Sequence, residues 1–256
     1  MKIQELLPKP DLLACKKLLC VQPHPDDMDI SAGGTIARLA ENGTEVFYLT
    51  ITDDTAGFME IDAGNTHRRK EQRKKEQQVA GKILGVKDYF WMDYPDAGDW
   101  SMYQARNEII KYIRKIRPDF VMTIDPWLPY EAHQDHVKGG MAASEAFLLF
   151  NFPFIKTDET IDKNFEPYEI GGVAYSFTSN SNTVIDVENY REKKFSAIAA
   201  HKSQFTDELL EMVKIYDETR SRNLAEKCDF EMGEGFKVLN PTYMLHAFPE
   251  AIDYGV

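Results

Sequence analysis

Short apolar runs alternate along the chain with longer stretches whose apolar positions recur every three to four residues. Lys17–Gln22 (KLLCVQ) and Glu45–Thr52 (EVFYLTIT) are runs of the first kind and predict buried strands. Asp88–Met92 and Asp119–Ile124 (DFVMTI) read the same way. Between them, helices are predicted over Asp29–Asn42, stopped by Gly43, and over Thr66–Leu84, stopped by Gly85. Further helices are predicted over Ser101–Arg117, with Ser101 as N-cap and Pro118 just past the end, and over His136–Phe150. Asp53–Asn65 and Asp93–Asp99 carry Gly and Pro and read as loops. Strands alternating with helices imply right-handed βαβ crossovers and a mainly parallel sheet in a three-layer, Rossmann-like α/β domain.

The flanks are less regular. Residues 1–16 form a lead-in, with a helical turn predicted at Leu12–Lys16. Asn151–Ile170 is expected as a loop or insertion. Val173–Phe177 and Thr183–Val187 predict two further strands, and Glu188–Ser203 and Thr206–Lys227 two further helices. A motif core over 17–150, with 151–256 added to the same body, gives one domain over 1–256. There is no internal repeat.

Composition narrows the class. Thirty basic against 42 acidic residues give a net charge of −12, which argues against a nucleic-acid binder, since that needs a basic face. No apolar run is long enough to span a membrane, and the N-terminus lacks the pattern of a signal peptide. Three cysteines without CxxC spacing argue against a disulfide scaffold and fit a reducing cytoplasm.

A strand order of 3-2-1-4 makes the first and fourth strands neighbours. The crevice beyond their carboxyl ends is then the default ligand site. Pro23-His24-Pro25-Asp26-Asp27 follows the first strand, and His133-Gln134-Asp135-His136 follows the fourth. His24, Asp27 and His136 offer two imidazoles and a carboxylate, the open pattern of a catalytic Zn²⁺ site. Asp26 is left free to handle protons. A plainer reading makes Asp26 and Asp27 a pair of acids favourable to a helix start, with no metal at all. That account leaves the second His-rich cluster unexplained.

Other signals are weaker. GxGxxG, GxxxxGK[ST] and GxSxG are absent, and Gly33-Gly34 reads as close packing of helix on sheet. The basic segment His67–Lys75 is mostly a solvated helix face. Arg73, Glu76, Ala80, Ile83 and Leu84 share one helical face, so Arg73 and Glu76 extend an inward stripe towards the crevice. An internal ion pair and a direct substrate contact both suit Arg73.

His24-Pro25-Asp26-Asp27 followed by Gly33-Gly34-Thr35 resembles the first motif of the PIG-L/LmbE-like deacetylases. The second motif of that family, HPDH, is matched by His133-Gln134-Asp135-His136, with Gln134 in place of proline. Met28 also departs from the residues common at its position. Arg73 and Glu76 ahead of Leu84-Gly85-Val86, the loop Tyr94-Pro95-Asp96, and Lys193-Lys194 ahead of His201-Lys202-Ser203-Gln204 extend the likeness over roughly residues 17–205. The resemblance implies a zinc-dependent N-deacetylase of Rossmann-like fold, acting on N-acetylglucosamine or its conjugates. It implies His24, Asp27 and His136 as zinc ligands and Asp26 as general base. His133, favoured as an imidazolium by Asp135, would assist the tetrahedral intermediate. Asp135 would orient the neighbouring histidine, and Arg73 would hold substrate or position a site carboxylate. Several members are oligomeric, so a homo-oligomer is allowed. Hydrolysis of another small N-acyl amine, or metal or sugar binding without turnover, are the alternatives.

Overall fold

The computed structural model describes Glu5 and residues 8–58 and 64–241. The outer part of the lead-in, residues 59–63 of the loop expected over 53–65, and the last fifteen residues lie outside that range.

One seven-stranded sheet forms the centre, in the order β3-β2-β1-β4-β5-β7-β6. β1 (Lys17–Gln22) lies parallel between β2 (Glu45–Thr52) and β4 (Phe120–Ile124), and β3 (Asp88–Tyr94) is the outer strand beside β2. The 3-2-1-4 order expected from the sequence is therefore present. β5 (Gly172–Ser176) continues the parallel arrangement beside β4. β7 (Gly233–Leu239) and β6 (Thr183–Asp186) complete the sheet with antiparallel pairings.

Helices cover both faces. On one side α1 (Asp27–Glu41), α2 (Thr66–Leu84) and α6 (Arg191–Ile198) enclose a core built on Ile36, Leu39, Tyr48, Ala80 and Met122. On the other, α3 (Met102–Ile116) and α4 (Gln134–Leu149) enclose Val21, Leu49, Ile109, Ile113 and Phe147. The sheet alternation explains the division: Leu18 and Cys20 face the first core, and Leu19 and Val21 the second.

Several boundaries differ from expectation. The insertion over 151–170 contains a short helix, α5 (Glu159–Asn164), capped by Asp158. The helix expected over 188–203 is a 3₁₀ turn at Glu188–Tyr190 followed by α6. The last helix, α7, spans Asp207–Ala225. Strand β7 has no counterpart in the sequence reading. Its glycines leave room for packing, because a Cβ on Gly235 would lie 2.9 Å from Leu224 of α7. Gly33 and Gly34 do serve close packing, but against Lys194 of α6, Val187 beyond β6, and Glu234 of β7.

Candidate metal centre

The two polar clusters meet at the carboxyl ends of β1 and β4. His24 leaves β1 one residue after Pro23, and Asp27 opens α1. The second cluster arrives on α4, which begins at Gln134 rather than at the expected His136. Two glycines let that helix come close. A Cβ on Gly139 would lie 3.1 Å from Pro23, and one on Gly140 would lie 2.9 Å from the Ile124 carbonyl oxygen.

Asp27 stands between two imidazoles. Its Oδ2 accepts the His24 backbone N–H at 2.8 Å and lies 3.5 Å from His24 Nδ1. Its Oδ1 lies 3.4 Å from His136 Nε2. One ligating atom from each of His24, Asp27 and His136 falls within 4.8 Å of the others. Burial pushes the Asp27 carboxyl up, but hydrogen bonds from His136 and His24 hold it well below the ordinary range. Two imidazole nitrogens and a carboxylate oxygen suit Zn²⁺, with further coordination positions left open.

Asp26 does not cap α1. It occupies the N-cap position with φ 101° and makes no capping hydrogen bond through its side chain. Aspartate tolerates this left-handed conformation better than most residues. The turn sends its carboxylate to Arg73, whose Nη2 donates to Oδ2 at 3.0 Å. Among the described residues no hydrogen bond reaches Oδ1. Burial raises the Asp26 carboxyl, against the pull of Arg73 and His201.

Arg73 is fully buried on α2, on the inward stripe expected for it. Its Nε donates to Asp54. Its Nη1 donates to Glu76 at 3.1 Å and Ser203 at 3.3 Å, and its Nη2 to the Pro25 carbonyl at 2.8 Å as well as to Asp26. His201 Nδ1 lies 3.5 Å from Nη1 as well, so the five N–H donors of this guanidinium are surrounded by six acceptors. Of the two roles open to Arg73, the geometry favours positioning a site carboxylate.

The motif after α6 packs behind this arginine. His201, fully buried, lies 2.8 Å from Asp29 Oδ2 through Nε2, and Ser203 Oγ donates to Glu76 at 2.6 Å. Gln77, also on the inward face of α2, accepts the Asp26 N–H at 3.0 Å and donates to Asp29 at 2.8 Å. Gln77 and Asp54 were not singled out from the sequence. The helical phase of Arg73 and Glu76 would have found Gln77; nothing in a loop pattern marks Asp54.

Asp135 departs from expectation. Its carboxylate accepts Trp100 Nε1–H at 2.9 Å and Ala97 N–H at 2.8 Å and lies 3.5 Å from His24 Nε2, with a His133 ring nitrogen within 4.8 Å but not bonded to it. Asp96 Oδ1 reaches the same His24 nitrogen at 3.4 Å. In the first turn of a helix the side chain points back towards the N-terminus, which carries this carboxylate across to the β1 cluster. His133 instead accepts the Asp135 backbone N–H through Nδ1 at 3.3 Å. Burial and the neighbouring His24 and His136 push the His133 imidazole down, against the upward pull of Asp135 and Asp96. With Nδ1 accepting, the neutral ring carries its proton on Nε2.

His24, Asp26, Asp27, Asp96, His133 and His136 open onto a cavity of about 360 Å³, whose wall also includes Gly57 and Gln204. A larger apolar groove of about 820 Å³ beside α4, lined by Trp127, Met141, Leu148 and Tyr175, contains none of these histidines. Among the described residues no helix is long and apolar enough to cross a membrane.

A parallel sheet carrying a His–Asp–His cluster beyond its central strands defines a Rossmann-like protein with a candidate metal centre. The chain belongs to the PIG-L family of GlcNAc-PI de-N-acetylases, whose model matches residues 19–147, and it is a hydrolase of the deacetylase class. It is 34% identical over 236 residues to diacetylchitobiose deacetylase of Thermococcus kodakarensis, covering 92% of this chain and 87% of the relative. The structure of N,N'-diacetylchitobiose deacetylase from Pyrococcus horikoshii superposes with a TM-score of 0.84 at 34% identity, covering 91% of this chain and 87% of that one. A 4-carboxy-2-hydroxymuconate hydratase from Pseudomonas putida shares the fold at a TM-score of 0.72 and 20% identity, over 88% of this chain and 96% of that one. The fold by itself therefore does not fix the reaction.

Proposed function

We propose that the chain removes the N-acetyl group from an N-acetylglucosamine-type amino sugar or its conjugate, with one Zn²⁺ held by His24, Asp27 and His136. The observation that carries this reading is the convergence of those three ligating atoms within 4.8 Å, beside Asp26 and His133 in one cavity. Relatives named for diacetylchitobiose and for N-acetyl-alpha-D-glucosaminyl L-malate support the substrate class. When bound, the metal supplies Lewis-acid polarisation of an amide carbonyl and lowers the pKa of water.

The side chains do the rest. Asp26, held at Oδ2 by Arg73, uses Oδ1 to take a proton from the attacking water. His133 donates its Nε2–H to the carbonyl oxygen as negative charge develops there; a donor of this kind is worth about 10²–10³ in rate. The proton gained by Asp26 is returned to the departing amine. Asp96 and Asp135 flank His24 Nε2 at 3.4 and 3.5 Å, and their charge favours that nitrogen as the protonated one, which would leave Nδ1 for a metal.

The chain works as one domain in this reading, because strands from both halves share one sheet. Three free cysteines are consistent with a cytoplasmic setting. The test is acetate release from N-acetylglucosamine and N,N'-diacetylchitobiose by protein of measured zinc content. Stoichiometric zinc without acetate from either sugar, but with turnover of another N-acyl amine, would replace the substrate. Zinc without turnover of any amide would reduce the chain to a binding protein.

A further inference from the structure

The loop from β4 to α4 carries one carboxylate that touches both histidines of the second cluster. Glu131 Oε1 accepts the His133 backbone N–H at 2.7 Å, and Glu131 Oε2 lies 3.1 Å from His136 Nδ1. Among the described residues no other group bonds to His136 Nδ1. A carboxylate only accepts, so Nδ1 must carry the proton in this contact. Nε2, the other ring nitrogen, faces Asp27 Oδ1 at 3.4 Å, and it is the nitrogen that a bound metal would engage once its proton is lost. The same carboxylate fixes the backbone where α4 begins, and so where His133 enters the cavity.

We propose that Glu131 is a positioning residue of the metal centre. It selects the tautomer and the rotation in which His136 ligates through Nε2, and it anchors the start of the helix that delivers both histidines. A carboxylate behind a ligating imidazole also raises the basicity of that ring. This inference rests on the zinc reading given above. A different account would make Glu131 only a negative charge near the start of α4, favourable to the helix dipole. The two accounts differ in what glutamine does at this position. Glutamine removes the charge but keeps one oxygen able to accept from Nδ1–H.

The experiment is competition for Zn²⁺ between a chromophoric chelator and metal-free wild-type, Glu131→Gln and Glu131→Ala proteins. Thermal unfolding of the metal-free forms checks that all three are folded. Glu131→Ala is expected to bind zinc about 10–100-fold more weakly than wild type, with Glu131→Gln between the two. Equal affinity in Glu131→Ala and wild type overturns the proposal. Glutamine as weak as alanine also overturns it, because the effect would then belong to charge alone. If Glu131→Ala fails to fold, Glu131→Ser takes its place, and the same comparison with Glu131→Gln and wild type decides. Failure of wild type itself to take up stoichiometric zinc would remove the metal reading, and this inference with it.

Discussion

Arg73 Nη2 lies 3.0 Å from Asp26 Oδ2, so one oxygen of a carboxylate that lines the cavity is held by the arginine. With its five donors taken by protein acceptors, Arg73 has nothing left to offer a sugar hydroxyl. Arg73→Lys is therefore expected to lower kcat by about 10²-fold through misplacement of Asp26, with KM little changed. Steady-state kinetics separate the two constants. A raised KM at normal kcat would return Arg73 to direct substrate contact.

Asp26→Asn keeps the side-chain shape and tolerates the left-handed backbone, but cannot take a proton. It is expected to retain zinc and lose about 10²–10⁴ in kcat. His24→Ala and Asp27→Ala should instead lose zinc and activity together. Elemental analysis beside acetate release checks both, and near-normal turnover in zinc-loaded Asp26→Asn would rule out its role as the base.

His133→Ala should also retain zinc, with kcat reduced about 10²–10³-fold through loss of a donor to the developing oxyanion. His133→Gln, which still carries an N–H donor, is expected to recover part of that loss. Zinc measurements on the same samples guard the assignment. Loss of metal in His133→Ala would mean that His133 and His136 exchange roles.

Lys194 is buried between Asp217, at 2.5 Å, and Glu234, at 2.9 Å. Burial lowers its pKa, and the two carboxylates more than reverse this, leaving it above the ordinary 10.5. A lysine raised on folding stabilises fully below its unfolded pKa and loses that contribution as pH rises through the folded value. Denaturant unfolding should accordingly show stability falling above about pH 10.5. Lys194→Leu should cost about 3 kcal/mol at neutral pH by leaving Glu234 buried without its cation. It should also flatten that alkaline decline, and an unchanged decline in the variant would assign it to other groups.

The first four strands and their helices were legible because each strand is a short apolar run and each helix carries a stop signal. β7 was not. Gly233-Glu234-Gly235 interrupts its apolar pattern, since Glu234 points inward to accept the Gly34 and Thr35 N–H groups. At the site, the spacing of His24, Asp27 and His136 was readable once the strand order was assumed. The partner of Asp135 was not, because adjacency in sequence favours His133 while the direction of a first-turn side chain favours His24. Glu131 lies in a loop without periodicity, so only the folded geometry reveals its two contacts.

The Gly34–Glu234 hydrogen bond joins residues 200 positions apart, and His201 closes on Asp29 across 172. A chain emerges from the ribosome N-terminus first. The His24–Asp27 motif is thus made well before the groups that brace it. A nascent chain that has not yet reached Glu234 carries that motif without the brace. The bracing of the His24–Asp27 motif is therefore complete only once Glu234 has been made.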